Sequence, residues 1–408
     1  VPVSRLSLLS SSLHLDRESL RIRQLTIPPT LAVILVKDNI TKKHMDKRKL
    51  SKAIKRLVNL PKGKYLFLYT VNKIKHFYFK AIKSTKVAYP STIMLELTNY
   101  CNLACTTCPR EYGYGKQMDK GNMSLQSAKE IIDEVWPYLD SIGLTGMGET
   151  FLYKEIGEIV NYIKNRNKGI IISVSTNAVL PNFIENVISL IGKIDTIQVS
   201  IDGIEDTYEM IRKKSNFKIL DENLRALSKI VKNTGTDIML NMVVTKENYK
   251  HMPLLIKYAK EINIKYMDFT LFNLASVTDI EQSYYTFYQS TEFLKVIEEL
   301  EETIKNTPEV LVTKRNFKTE NSFQKCPFPW THFYICWNGF VPPCCAKPFP
   351  KELHFGNVFN SKVIDILNSN RYKEFRMLWF KNSPPDFCNK CHFIDIEPIK
   401  TTANTAYK

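Results

Sequence analysis

From about residue 92 onward the apolar and polar positions fall into two alternating rhythms. Short runs dense in β-branched and aliphatic residues, at 93–97, 141–145, 170–175, 196–201, 237–244 and 265–271, read as strands. Between them, 125–139, 154–167, 183–191, 221–233 and 249–262 read as helices. The first is opened by Ser124, whose hydroxyl suits an N-cap. Regular strand–helix alternation predicts an α/β fold, a parallel sheet joined by crossover helices. Residues 272–325 are polar, hold one helical stretch around 291–305, and read as a connector. Residues 326–408 are rich in Pro and Cys with little periodicity, which predicts a small domain stapled by a metal.

Ahead of this core the pattern is different. Residues 1–44 are rich in Ser and Leu without a clear period; they read as a poorly defined or flexible segment and receive no function. Residues 45–60 read as a basic amphipathic helix, with Leu50, Ile54, Leu57 and Val58 at helical spacing among Lys47, Arg48, Lys49, Lys52, Lys55 and Arg56. The basic, aromatic character continues through Lys73, Lys75, Phe77, Tyr78, Phe79 and Lys80. This 45–89 extension is expected to pack on the following domain with a solvated lysine face; docking to a membrane surface or a peptide is the alternative. The longest early apolar run, 31–36, is far short of the ~20 residues that span a bilayer.

Composition narrows the class. The chain has 408 residues, 44% hydrophobic and 24% charged, ordinary globular usage. A net charge of +16 favours anionic partners such as nucleic acid, an anionic membrane or an acidic leader peptide. Lys, Asn and Ile are abundant throughout, so the charge reads as general bias, and nucleic acid is not expected among the partners. The nine cysteines lie in two groups, three within 101–108 and six within 326–391. Tight groups in a long chain point to metal or cluster ligands in a reducing compartment, so a cytoplasmic location is expected.

The first group, Cys101, Cys105 and Cys108, has the spacing Cys-x3-Cys-x2-Cys and follows a strand, so three thiolates converge on one loop. Electron-transfer 4Fe–4S cubes usually take four Cys ligands. Three ligands leave one iron open, which makes a redox centre a Lewis-acid binding site as well. Zinc is the competing reading. Zinc ribbons pair one Cys-x2-Cys with another about 15–20 residues away; the next such pair here is Cys388–Cys391, and Cys101 would be orphaned.

With these motifs in order, the sequence resembles the radical S-adenosylmethionine (SAM) superfamily, in the branch with a C-terminal SPASM or twitch domain. The resemblance implies a partial (βα)6 TIM-like barrel over 90–310 and a small Cys-rich auxiliary domain over 311–408. It also implies that the open iron chelates SAM. Gly146-Met147-Gly148-Glu149 resembles the family's Gly-Gly-Glu motif, with glycines that admit a close ligand and Glu149 or its backbone accepting from the SAM ammonium. Ser175 and Asn177 stand where the family has Thr-Asn-Gly, with Ala178 replacing the glycine. Ser200 and Asp202 match a ribose- or methionine-contacting segment, and Arg212 an arginine near the SAM carboxylate; Asn241 is placed toward the same cavity. Thr107 replaces an aromatic residue often found before the third cysteine.

The second group contains Cys326, Cys336, Cys344, Cys345, Cys388 and Cys391, with Asn338-Gly339 as a hairpin-turn signal that would bring Cys344 back toward Cys326. The resemblance implies one auxiliary 4Fe–4S cluster on Cys326, Cys344, Cys388 and Cys391, preferring Cys344 to Cys345 and leaving Cys336 spare. A four-cysteine zinc site fits the same residues. The resulting expectation is an oxidoreductase that reductively cleaves SAM to a 5′-deoxyadenosyl radical and abstracts hydrogen from a substrate C–H bond. Its substrate would be a peptide or small metabolite and its reductant a flavodoxin or ferredoxin. A non-catalytic zinc protein bound to nucleic acid or a membrane surface is the reading from another class.

Overall fold

The structure, a computed structural model, describes residues 47–277, 279–314 and 326–391. The expectation for residues 1–44 lies outside the described residues. The chain divides into a unit ending at Lys55 and a large unit from Arg56 onward. Helix α1 (Lys47–Val58) crosses that boundary, and α2 (Lys64–Ala81) opens the large unit.

Eight parallel strands follow: β1 (Thr92–Leu95), β2 (Ser141–Leu144), β3 (Ile171–Thr176), β4 (Thr196–Ser200), β5 (Asp237–Val244), β6 (Tyr266–Leu271), β7 (Leu311–Lys314) and β8 (Phe333–Ile335). Their order is β7-β6-β5-β4-β3-β2-β1-β8, so the sheet is open, with β7 and β8 at its edges. The crossovers from β1 to β6 carry α3 (Leu125–Val135), α4 (Ile156–Arg166), α5 (Phe183–Ile188), α6 (Glu205–Ile211), α7 (Phe217–Ile230) and α8 (Met252–Glu261). The partial six-stranded βα barrel is therefore present, and a strand beyond each end extends it.

Helix α9 (Thr291–Asn306) precedes β7; α10 (Val363–Leu367) and α11 (Asn370–Phe380) follow β8. Capping worked as its chemistry requires at Ser124, which accepts from the Ser127 N–H at 3.0 Å. One face of the sheet is fully buried through Ile93, Leu95, Ile142, Leu144, Val174, Val199, Leu240 and Phe269. It meets helix residues at i, i+3, i+4 spacing: Ala128, Ile131, Ile132 and Val135 on α3, and Leu220, Leu224 and Leu227 on α7. Each buried Val, Leu, Ile or Phe side chain contributes roughly 1.5–3 kcal/mol.

The opposite face carries small or polar residues. Gly143 pairs with Ser173, Ser175 with Gln198, and Ser200 with Asn241, which in turn pairs with Asp268. Alternation of side chains puts these on one side of the sheet, where a hollow can be lined without closing an apolar core.

Two segments depart from the sequence reading. Residues 272–290 are no polar connector: Phe272, Leu274, Tyr285 and Tyr288 are buried, and Tyr284, Phe287 and Phe293 pack among them edge to face. Much of it is a 3-10 run, Gln282–Gln289, whose period hides its apolar face. Helix α2 packs, but its outward face is apolar rather than a solvated lysine face: Phe67, Ile74, Phe77 and Tyr78 are exposed.

Candidate functional site

The residues after β1 are held before the first cysteine is reached. The Asn99 side chain donates to the Asp119 carbonyl at 2.7 Å and accepts from the Gly121 N–H at 2.9 Å, while Met123 N–H donates to the Leu97 carbonyl. The cysteine loop is then pinned to the segments that follow β2 and β3 and to the end of α6. Glu149 N–H donates to the Tyr100 carbonyl at 2.8 Å, and Asn177 Nδ2 donates to Asn102 Oδ1 at 2.8 Å. Thr106 N–H donates to the Ile211 carbonyl and Ala104 N–H to that of Lys213.

Cys101, Cys105 and Cys108 thus share one loop and lie within electrostatic reach of one another. Burial pushes all three thiols up, Cys105 to about 12 against the opposing pull of Arg212. Buried thiols of this kind ionise when a cation joins them.

The loop after β2 is built around two buried carboxylates. Glu149 accepts from Phe151 N–H, Thr176 Oγ1 and Asn177 N–H, at 3.1, 2.8 and 2.7 Å. Glu96, at the end of β1, accepts from Met147 N–H at 2.7 Å, Tyr334 Oη at 2.6 Å and Trp337 N–H at 3.3 Å. Burial raises both carboxyls, and these donors oppose it. What the two glycines admit here is the chain itself. A Cβ on Gly146 would stand 2.3 Å from Glu96 Cγ, and one on Gly148 2.5 Å from the Tyr100 carbonyl oxygen.

Ser175 and Asn177 leave β3, and Ser200 and Asp202 leave β4, along the same edge. Asp202 is fully buried, accepts from Val243 N–H at 2.8 Å, and forms an ion pair with Arg212 at 2.9 Å. Arg212 also donates to Cys105 Sγ at 3.9 Å. Burial alone would depress its guanidinium; Asp202 and the Cys105 thiol outweigh that and raise it. Ala178 keeps a left-handed turn, φ 55°, despite its Cβ.

A second centre forms near the C-terminal end. Cys326, Cys344, Cys388 and Cys391 line one cavity of about 30 Å³ with Phe375, Trp379 and Phe387. Burial raises the Cys326, Cys344 and Cys388 thiols, Cys326 to about 12, and Cys391 is buried beside them. Cys345 is within electrostatic reach of Cys344, Cys391 and Cys326 but does not line that cavity. Asn273 Nδ2 donates to Cys391 Sγ at 3.6 Å. Cys336 sits elsewhere, with its thiol on the Pro348 carbonyl. The Asn338-Gly339 turn is present, with Gly339 at φ 81° and its N–H on the Cys336 carbonyl.

The donor sets fit iron–sulfur chemistry: soft thiols, buried and clustered. Among the described residues no three or more His, Cys, Asp or Glu converge as they would on one ion; a cubane asks less, since its thiolates sit on separate irons.

A further cleft of about 410 Å³ separates the 96–119 segment from the 336–354 segment. Glu96, Tyr114, Cys336, Trp337, Phe349 and Lys351 line it. Sequence reasoning missed Glu96, Asn102, Asn273 and Tyr334; Asn102 is a spacer position between Cys101 and Cys105, and the other three belong to no short motif.

Known proteins align with this arrangement. Residues 95–259 match the model of the radical SAM superfamily, and residues 326–392 match SPASM, an iron–sulfur cluster-binding domain. The tungsten-containing aldehyde ferredoxin oxidoreductase cofactor-modifying protein of Pyrococcus furiosus is 26% identical over 331 residues, 76% of this chain and 90% of that one. The antilisterial bacteriocin subtilosin biosynthesis protein AlbA of Bacillus subtilis is 22% identical over 318 residues, 76% and 67% of the two chains. Streptococcus suis SuiB bound to precursor peptide SuiA superposes with a TM-score of 0.60 at 17% identity, covering 80% of this chain and 74% of that one; this is a likeness of fold. The first match implies a 4Fe–4S cluster that works with SAM, and the second implies a further iron–sulfur cluster. With three cysteines on a loop at the strand ends and four around a second cavity, the chain belongs to the radical SAM superfamily and carries a C-terminal SPASM domain.

Proposed function

We propose that this chain is a peptide-modifying radical SAM enzyme. Cys101, Cys105 and Cys108 would hold the SAM-binding 4Fe–4S cluster, and Cys326, Cys344, Cys388 and Cys391 the auxiliary one. When bound, the first cluster supplies the electron that cleaves SAM, so that a 5′-deoxyadenosyl radical can take hydrogen from a substrate C–H bond. The observation that carries the reading is the cysteine loop tied at once to Glu149, Asn177 and Ile211. That lacing supports a reading in which the three thiols and the ends of β2 and β3 share one site.

The protein's own part is positioning. Glu149 spends its carboxylate on Phe151, Thr176 and Asn177, so the backbone of Gly146, Met147 and Gly148 is what meets the SAM amino group. Arg212, held by Asp202, keeps a positive charge beside Cys105 and faces the SAM carboxylate. Ser175, Asn177 and Ser200 would border the ribose and methionine, with Asp202 behind them holding Arg212. The cleft at Glu96 and Tyr114 receives the substrate; its volume suits a side chain or short peptide segment. A flavodoxin or ferredoxin would deliver the electron.

A peptide substrate is supported by the relatives: one takes part in subtilosin biosynthesis, and a structural neighbour is bound to a precursor peptide. A small cofactor-like metabolite is the second reading, favoured by the cofactor-modifying relative that this chain covers to 90%.

Anaerobic protein should contain iron and sulfide at about eight each per chain. With SAM and dithionite it should release 5′-deoxyadenosine, and the Cys101→Ala, Cys105→Ala, Cys108→Ala triple variant should release none. Cluster-loaded protein that leaves SAM intact sinks the proposal. Tyr114→Ala should raise the KM for substrate while leaving substrate-free SAM cleavage unchanged.

A further inference from the structure

Helix α2 has two unlike sides. Inward, Tyr69 and Asn72 are buried. Tyr69 Oη and Lys73 Nζ donate to Asp140 at 2.7 and 2.6 Å, and the Asn72 side chain donates to the Tyr89 carbonyl at 2.9 Å. Outward, at positions that follow the 3.6-residue turn, stand Phe67, Ile74, Phe77 and Tyr78, exposed by 69, 58, 72 and 56%. Leu66, Ala81 and Ile82 continue this stripe. Exposed Lys64 and Lys75 border it on one side and Lys80 on the other, with Lys83 and Lys86 beyond the helix end. No acidic residue occurs between Asp46 and Glu96.

We infer that this face of α2 docks on an anionic lipid bilayer, lying in the interface with its aromatic side chains among the acyl chains and its lysines at the headgroups. The shape favours a surface over a groove-bound peptide: the stripe is a convex ridge of large side chains, which a flat, deformable partner accepts whole. Insertion by about 5–10 Å would submerge the ridge while the bordering lysines stay at headgroup level. The charge favours lipid over a second copy of this chain. Self-pairing of α2 would bring lysine borders together with no carboxylate on the helix to oppose them. The helix lies on the bilayer rather than through it, since no described helix is long and apolar enough to cross.

Co-sedimentation of the full, cluster-loaded chain with vesicles tests this. Vesicles of phosphatidylcholine with one-third phosphatidylglycerol should carry down at least about tenfold more protein than pure phosphatidylcholine, and 0.5 M NaCl should erase the difference. Phe67→Ser with Phe77→Ser should weaken binding by about tenfold or more. Both residues are exposed and remote from the cysteine loop, so SAM cleavage without vesicles should be unchanged. Lys64→Ser with Lys75→Ser should weaken binding to anionic vesicles alone. Equal sedimentation with both vesicle types overturns the inference. So does unaltered binding by the phenylalanine pair, or light scattering in which that pair converts a dimer to a monomer.

Discussion

Asp202 and Arg212 show how a residue can be visible in sequence while its work is not. Both were marked by motif, yet their nearest partners are each other and Cys105. Removing the guanidinium would strand a fully buried carboxylate, so Arg212→Ala should lower unfolding free energy by roughly 3–5 kcal/mol in a urea titration. Arg212→Lys should lose less. Ala178 gives the opposite sign. A left-handed Ala carries about 1–2 kcal/mol of steric strain, part of which the greater freedom of an unfolded Gly would cancel. Ala178→Gly should therefore leave stability unchanged or raise it by up to about 1 kcal/mol. The cysteines were legible because ligands within one loop are neighbours in sequence. Glu96 was not, because Met147, Tyr334 and Trp337 reach it only after the sheet has formed.

Elements with a clean period were legible, and those whose apolar residues run all round were not. β5 and α9 were found nearly to the residue, and α2 falls within the helical extension expected over 45–89, though its apolar outer face was not foreseen; α11, whose Met377 and Leu378 lie exposed opposite buried aromatics, and the 3-10 run 282–289 were missed. The seating of α2 can be tested at Asp140, which accepts from Tyr69 and Lys73 and pairs with Arg56. Asp140→Ala should cost about 2 kcal/mol, read as lost amide protection across α2. His76 adds a pH dependence. Its Nε2 lies 2.7 Å from the Tyr89 carbonyl, and burial lowers its affinity for a second proton below the ordinary 6.5. The unfolded chain takes that proton first, so the contribution is complete above about pH 6.5 and lost as pH falls through the lower folded value. Intrinsic-rate-corrected protection of α2 should drop from pH 7 to 5, and His76→Gln should flatten the change.

At the scale of the molecule, the strand–helix rhythm foretold a six-stranded parallel sheet but neither edge strand. β7 buries none of its four residues, so no apolar run marks it, and β8 is only three residues long. The auxiliary domain is held to itself and to the segment before β1 by more than its cysteines. Arg376, fully buried on α11, donates to the carbonyls of Pro329, Thr85 and Leu367, and burial lowers it to about 10. Arg376→Leu would strand those acceptors at about 1–3 kcal/mol each, a loss measurable as a lower denaturation midpoint. β8 adds a consequence of its own. It zips in parallel onto β1, from Ile93 opposite Phe333 to Leu95 opposite Ile335. Severing the chain before Cys326 would not free a tidy half-protein: it would bare the rim of β1, a template on which stray strands stack, and the shortened product should leave a sizing column in the void volume.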